Sequence, residues 1–524
     1  MKSRRQNQYH ESPQNFLTQR QPASKRDWNR VALITATFFT AIAFSIPGQA
    51  GTWTALTNAA PSGAGTMQLL SDGSIMVQRA GVTNSFMRLR PDIHGSYIAG
   101  TWTSDIANMS RPRLYYASNI LPDGRLWVLG GEYSTNGGNG TWDNTGEIYN
   151  PVTNTWTPIA NYPRSQFGDD PSMVVITSLG LRILAGDLST NQPFLYDPAT
   201  NTWSPAAAKV YNDRSDEETW VKLPNGRVLT YDIFRSIATA TGNAEIYDPL
   251  ANSWSSITPG VNGTTGTLPL MSSNALGAEF GPALRLQDGR IWMQGANNLS
   301  ALYDPATNSW AQGPSLPSGM GADDAPGAIA PNGHVIFTAD TPLFHSPTKV
   351  FEYDPVAGTY TDITPAGTAL GSVPAFVTRM LVLPTGQVLL SDSSSRPWVY
   401  TPDAPVTATA RPIVNGVTYN GGGVFTLTGS QINGQSSGSS YGDDVESDEN
   451  FPIIRFAART GNVYYARTFN WSTVGIDGGA TIQSVNFTLN TSMPAGTYQL
   501  ILTGAGMQSV PVSIAITQAQ VAGQ

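Results

Sequence analysis

The sequence predicts an all-β protein: seven four-stranded sheets closed into a β-propeller, followed by a smaller β-sandwich. Three observations carry this reading. One aromatic phrase recurs with a period near fifty residues, and a second phrase, built on a tight turn, alternates with it. The composition agrees: 13% charged residues, with 52 Gly, 37 Pro and 13 Trp in 524, suits short strands and turns better than long helices.

The first phrase reads EIYNPVTNTW (147–156), FLYDPATNTW (194–203), EIYDPLANSW (245–254), ALYDPATNSW (301–310) and FEYDPVAGTY (351–360). Two degenerate copies end at Trp53 and Trp102, so the closing aromatics from Trp53 to Tyr360 are spaced by 49, 54, 47, 51, 56 and 50 residues. The Asp-Pro pair opens a turn between outer strands, and the aromatic is expected to pack between neighbouring sheets.

The second phrase is a turn followed by an apolar strand, as in PDGRLWVLGG (122–131), PNGRVLT (224–230) and QDGRIWMQG (287–295); it occurs seven times, from 71–77 to 384–390. Asp-Gly and Asn-Gly between strand formers are hairpin turns. Each unit then holds four antiparallel strands, whose faces are buried only by stacking copies around an axis. The last turn unit has no closing aromatic, and Trp53 has no turn before it. A shared blade resolves both: residues 51–57 are expected to pair with the strands of 376–401 and close a ring spanning 51–404.

Residues 405–517 lose the repeat but keep about seven short strands, read as an immunoglobulin-like sandwich, with 518–524 as a tail. Within it, SQINGQSSGSSYGDDVESDEN (430–450) is read as a solvated acidic loop. Its carboxylates suggest calcium, but their spacing does not match an EF-hand.

Residues 1–30 carry seven Lys/Arg against Glu11 and Asp27, then Val31–Ile46 is apolar and uncharged, and Gly48 and Ala50 flank a small-residue site. This pattern is that of an export signal over 1–50, with a membrane anchor through 31–46 as the alternative. The chain is therefore expected to be secreted or extracytoplasmic, with no other membrane contact. A net charge of −8 gives no general electrostatic grip on nucleic acid. The absence of cysteine removes disulfides, thiol nucleophiles and zinc–thiolate sites.

The Tyr-Asp-Pro phrase with its closing Trp resembles a kelch repeat. A seven-bladed kelch-type propeller with a C-terminal early-set sandwich is similar to the galactose oxidase and glyoxal oxidase superfamily, over residues 51–517. That resemblance would imply copper held by two tyrosines and two histidines, with one tyrosine cross-linked to cysteine. This chain has no cysteine. Where the family has a Tyr-His pair before a Leu-Pro-x-Gly turn, Phe376-Val377 precede Leu383-Pro384-Thr385-Gly386. The sandwich, expected to give the other histidine, has none; the four histidines are His10, His94, His334 and His345. The last three are read as structural, with His94 and His345 in loops. No copper, and no other cofactor, is expected.

Ten residues before the turn glycines of blades three to six stand Asp170, Asp216, Glu279 and Asp323, with Asp169, Glu217, Glu218 and Asp324 beside them. Equivalent positions of a propeller lie side by side at its central channel, so these carboxylates are expected to form an acidic arc, faced by Arg111, Arg113 and Tyr115. The arc has two readings: caps on backbone N–H groups, or a site for a cation or a polyhydroxylated ligand. The expected function is non-catalytic recognition of a carbohydrate or protein at the channel face, by a monomer. The alternative is a carbohydrate-active hydrolase or lyase, which a carboxyl pair tuned apart in pKa would support.

Overall fold

The computed structural model describes residues 51–523, apart from 135–141, 169, 405, 407, 442–444, 447–449 and 476–478. Residues 1–50, read as an export signal, Asp169 and most of the acidic loop's carboxylates lie outside the described residues. No described helix is long and apolar enough to cross a membrane.

Both sequence phrases fold for local reasons. In the turn phrase the glycine takes positive φ in all seven copies, from Gly73 at 76° to Gly386 at 82°. Where Asp or Asn precedes it, that side chain accepts the N–H two residues on: Arg125 N donates to Asp123 Oδ1 at 3.0 Å and Arg290 N to Asp288 Oδ1 at 3.0 Å. In the aromatic phrase Asn154, Asn201, Asn252 and Asn308 sit in the left-handed region, and Gly358 replaces them in the copy that lacks Asn. The asparagine side chain bridges two sheets. Asn154 Oδ1 accepts Tyr149 Oη at 2.9 Å from its own strand and Ala107 N at 2.9 Å from the preceding unit. The closing indole does the same: Trp156 Nε1 donates to Ala107 O and Trp203 Nε1 to Ala160 O, both at 2.8 Å.

Seven sheets of four antiparallel strands follow in chain order. Their innermost strands are Ala64–Leu69, Ala117–Ile120, Ser172–Thr177, Trp220–Lys222, Ala283–Arg285, Pro326–Ile329 and Arg379–Val382. Each inner strand from the second to the seventh contacts the next, and the seventh contacts the first. First and second are joined by Gln68 Nε2 donating to Ser118 Oγ at 2.6 Å. The arrangement is propeller-like, consistent with a kelch propeller. The fifth sheet gains a short parallel strand, Thr265–Gly266.

The seventh sheet is completed by the first described strand. Thr52–Ala55 pairs with Trp398–Thr401 in the register Thr52↔Thr401 to Ala55↔Trp398. Trp53 Nε1 donates to Ile363 O at 2.8 Å, the same bond to a neighbouring unit that the other closing tryptophans make. The shared blade expected for residues 51–57 is what the pairing shows.

Beyond the ring, two antiparallel sheets face each other. One orders Ile413–Gly421, Val424–Ser430, Gln483–Thr488 and Arg467–Phe469; the other pairs Ile453–Ala458 with Val463–Tyr465 and Gly496–Gly504. Phe425, Leu427, Phe456, Phe487 and Leu500 are buried between them, in one apolar cluster with Leu89 and Ile75 of the first sheet. Within the tail, residues Gln518–Ala522 form a short helix with a Thr517 capping box.

The stretch 430–450 corrects the expectation of a solvated loop. Ser439–Tyr441 is a buried strand paired with Pro326–Ala328 of the sixth inner strand, and Val445 pairs with Ser118 of the second. It also contacts the inner strands Ala283–Arg285 and Arg379–Val382. The segment therefore runs through the middle of the ring. Its serines suit the place: small hydroxyl side chains fit between converging inner strands where larger ones would clash.

Candidate functional site

At the mouth of the ring lies a pocket of about 200 Å³ lined by Tyr115, Glu132, Tyr133, Glu279, Asp324, Phe344 and Phe376. Tyr115, Glu217 and Asp324 stand nine residues before the turn glycines Gly124, Gly226 and Gly333. All three have positive φ: 52°, 61° and 49°. Non-glycine residues seldom adopt this conformation, and they concentrate at functional sites. The left-handed residue turns the chain just before the inner strand, so the ninth position, not the tenth, faces the mouth in the second and sixth sheets.

This shift of one residue corrects part of the expected arc. Asp323 is fully buried. Burial, with the charges of Glu279, Asp324 and Asp340, pushes it up to about 9. Asp170 is likewise buried, with Oδ1 unpartnered, and burial raises its pKa well above the usual range. Both lie behind the rim. Asp216 is half-buried and ion-paired with Arg214 at 2.8 Å. Glu217 is half-buried and does not line the pocket; of the tenth-position residues, Glu279 lines it.

Arg113 does not face the arc. It is fully buried and donates to Gly130 O at 2.6 Å, Thr145 O at 2.8 Å and Thr145 Oγ1 at 2.8 Å, beside Asp143 and Glu147. It locks the edge of the second sheet. Arg111 pairs with Asp143 at 3.3 Å.

The carboxyls at the mouth repel one another. Burial, then Asp324, Glu132 and Asp216, push Glu279 up to about 8. Asp324 is raised to about 6 by burial, with Arg379 pulling the other way. Burial raises Glu132, a hydrogen bond from Tyr133 lowers it, and Asp216 raises it. The walls are aromatic: Tyr115 lies 5.9 Å from Tyr133 and 6.2 Å from Phe376, and Phe344 lies 5.3 Å from Phe376, all edge-on. Arg379 stacks on Tyr441 at 3.7 Å and reaches Tyr115 at 5.4 Å. Tyr441, carried by the central segment, donates to Phe376 O and to Asp324 Oδ2 at 3.4 Å.

Glu132, Tyr133, Phe344 and Tyr441 went unread in the sequence. Glu132 and Tyr133 follow Gly130-Gly131, where the second strand of their sheet leaves beside the inner strand. That glycine pair was the available signal.

These residues do not fit a copper-radical centre, since neither thiol nor imidazole lines the pocket. His94 Nδ1 is 3.0 Å from Gly461 O, and His334 Nδ1 is 3.0 Å from Glu352 Oε1. His345 begins the strand His345–Asp354 instead of lying in a loop.

A second acidic cluster, also unread as a unit, lies inside the fourth sheet. Lys209, Glu218 and Asp232 are fully buried; Lys209 Nζ contacts Glu218 Oε1 and is 2.8 Å from Asp232 Oδ1. Trp220 Nε1 and Thr230 Oγ1 donate to Glu218 Oε2 at 3.1 Å and 3.0 Å. Asp213, Glu218 and Asp232 lie close together, and the lysine ammonium pairs with the last two. Burial opposes its charge, but Asp232 and Glu218 outweigh burial and raise its pKa.

Residues 113–161, the second sheet with its flanks, match the Kelch motif family. The chain carries a kelch motif. A putative F-box/kelch-repeat protein of Arabidopsis thaliana is 41% identical over 54 residues, 10% of this chain and 14% of that protein. Among solved structures, a fungal alcohol oxidase of the AA5 family, in complex with copper, aligns at 14% identity over 90% of this chain and 99% of its own, with a TM-score of 0.46. YjhT aligns at 13% identity over 59% of this chain and 98% of its own, with a TM-score of 0.39.

Proposed function

We propose that this kelch-motif chain is an exported seven-bladed propeller with an immunoglobulin-like sandwich, and that its channel mouth binds a glycan. The carrying observation is the pocket itself, where four aromatic rings surround three carboxyls. Aromatic faces take the apolar faces of sugar rings, and carboxylates accept hydroxyl hydrogen bonds. The closed cycle of inner strands supports the propeller, and two facing sheets with a shared core support the sandwich. A volume of about 200 Å³ lies below the range for drug-sized ligands, so the pocket takes a terminal sugar, not a chain interior. Glycan-array binding by the purified protein tests this: Phe376→Ala should abolish the signal, and an array with no signal from the unaltered protein refutes the reading.

One observation favours hydrolysis as a second reading. Glu279 at about 8 and Asp324 at about 6 are an acid and a base whose environments differ. Release of reducing ends from a bound oligosaccharide, lost in both Glu279→Gln and Asp324→Asn, would establish it; binding without turnover would exclude it.

A further inference from the structure

The proposed glycan site, on which this inference rests, has a strongly one-sided charge. Its lining contains Glu132, Glu279 and Asp324 and no Lys, Arg or His. The arginines nearby already have partners. Arg214 holds Asp216 at 2.8 Å, and Arg379 donates to the carbonyls of Phe376 and Thr378 at 2.6 Å and 2.8 Å. Arg379 is the cation beside Asp324. Glu132 and Glu279 have each other's charge to contend with, and Asp323 is buried behind them.

We propose that the pocket selects a sugar bearing a free, protonated amine, a terminal hexosamine, over neutral and acidic sugars. The carboxyls fix the sign of the preferred ligand and the rings reinforce it. An ammonium group near aromatic faces is attracted to them, the more so where water is excluded. A neutral sugar would leave Glu279 protonated, whereas an ammonium compensates its ionised form beside Glu132. An acidic sugar would add a further charge of the same sign. An N-acetyl group would remove the cation while enlarging the ligand in a pocket with room for one ring. The left-handed backbone at Tyr115 and Asp324 holds a ring and a carboxyl at the same mouth, so that both reach one bound group.

Calorimetric titration of the purified protein with the free-amine glucosamine disaccharide, its N-acetylated counterpart and lactose tests the proposal. The free-amine sugar should bind at least about tenfold more tightly than either, since a charge-assisted contact is at stake. Added salt should weaken it selectively. Glu279→Gln should remove about tenfold of that affinity; a cooperative melting transition no lower than that of the unaltered protein shows the variant is folded. Equal or tighter binding of the N-acetylated sugar or lactose overturns the amine selectivity and leaves the glycan site standing. No binding of any of the three sugars overturns both. Undiminished amine binding in both Glu279→Gln and Glu132→Gln overturns the proposal as well.

Discussion

The molecule gathers carboxyls in two places and treats them oppositely. Inside the fourth sheet, Glu218 and Asp232 close around an internal ammonium, Lys209 Nζ, out of reach of solvent. At the channel mouth, Glu132 and Glu279 share a pocket with aromatic rings and no ammonium. Both sites raise carboxyl pKa values: Glu218 and Glu279 each reach about 8, chiefly through burial. The difference lies in what relieves the charge. A resident lysine makes the first cluster part of the fold. Its absence leaves the second to protonation or to a ligand. Acidic density in a sequence therefore does not distinguish a strut from a site; the position of the nearest cation does.

The largest test of that contrast is Lys209→Met. Removing one partner of a fully buried pair strands the other, so a stability loss of about 3–5 kcal/mol is expected by chemical denaturation. The loss should shrink as pH falls, because Glu218 and Asp232, both raised by burial, no longer need the ammonium once protonated. Arg113→Met comes next, at about 3 kcal/mol, since it leaves the buried Glu147 and two carbonyls without their partner.

Glu279→Gln should have the opposite sign. The folded protein raises this carboxyl from 4.5 to about 8, so the native state binds the proton more tightly than the unfolded chain. Stability is then highest below the unfolded value and falls as pH rises towards about 8. Asp324, Glu132 and Asp216 face this carboxyl and deepen the fall. Denaturation midpoints of the Gln variant should decline less over that window, and an equal decline would place the burden elsewhere.

The smallest effect belongs to His334→Gln. Its partly exposed ring is raised above its ordinary 6.5, first by the hydrogen bond to Glu352. The contribution is present below 6.5 and lost as pH rises through the raised value. A few tenths of a kcal/mol is expected, visible only at acidic pH.

The repeat was legible because each marker residue has a local task. Glycine and asparagine take the left-handed positions, and tryptophan reaches a neighbouring carbonyl. Trp53 was assigned to the last sheet by counting, and its bond to Ile363 O is the one its counterparts make. The site was only half legible. Counting ten residues from the turn assumes one backbone path in every sheet, but the left-handed turn at Tyr115 and Asp324 exposes the ninth residue and buries Asp323. Period-two alternation makes such a shift decisive, since one residue exchanges the two faces. Lys209 was invisible for another reason: its carboxylates come from separate strands and loops, which no spacing rule links.

The strand Thr52–Ala55 is joined to the seventh sheet, with Gly51 N donating to Tyr400 Oη across 349 residues. Ser118 of the second sheet pairs with Val445 of the central segment. During synthesis, the first described strand therefore emerges long before its partner exists. The second sheet's inner edge likewise waits until the stretch near Val445 has been made. Such long-range closure is slow relative to local pairing and leaves unpaired edges open to misassociation in the interval. A chain arranged in this way gains from being kept extended until its C-terminal quarter is available. Holding chaperones and delayed, post-synthetic folding suit that arrangement better than sheet-by-sheet folding on the ribosome.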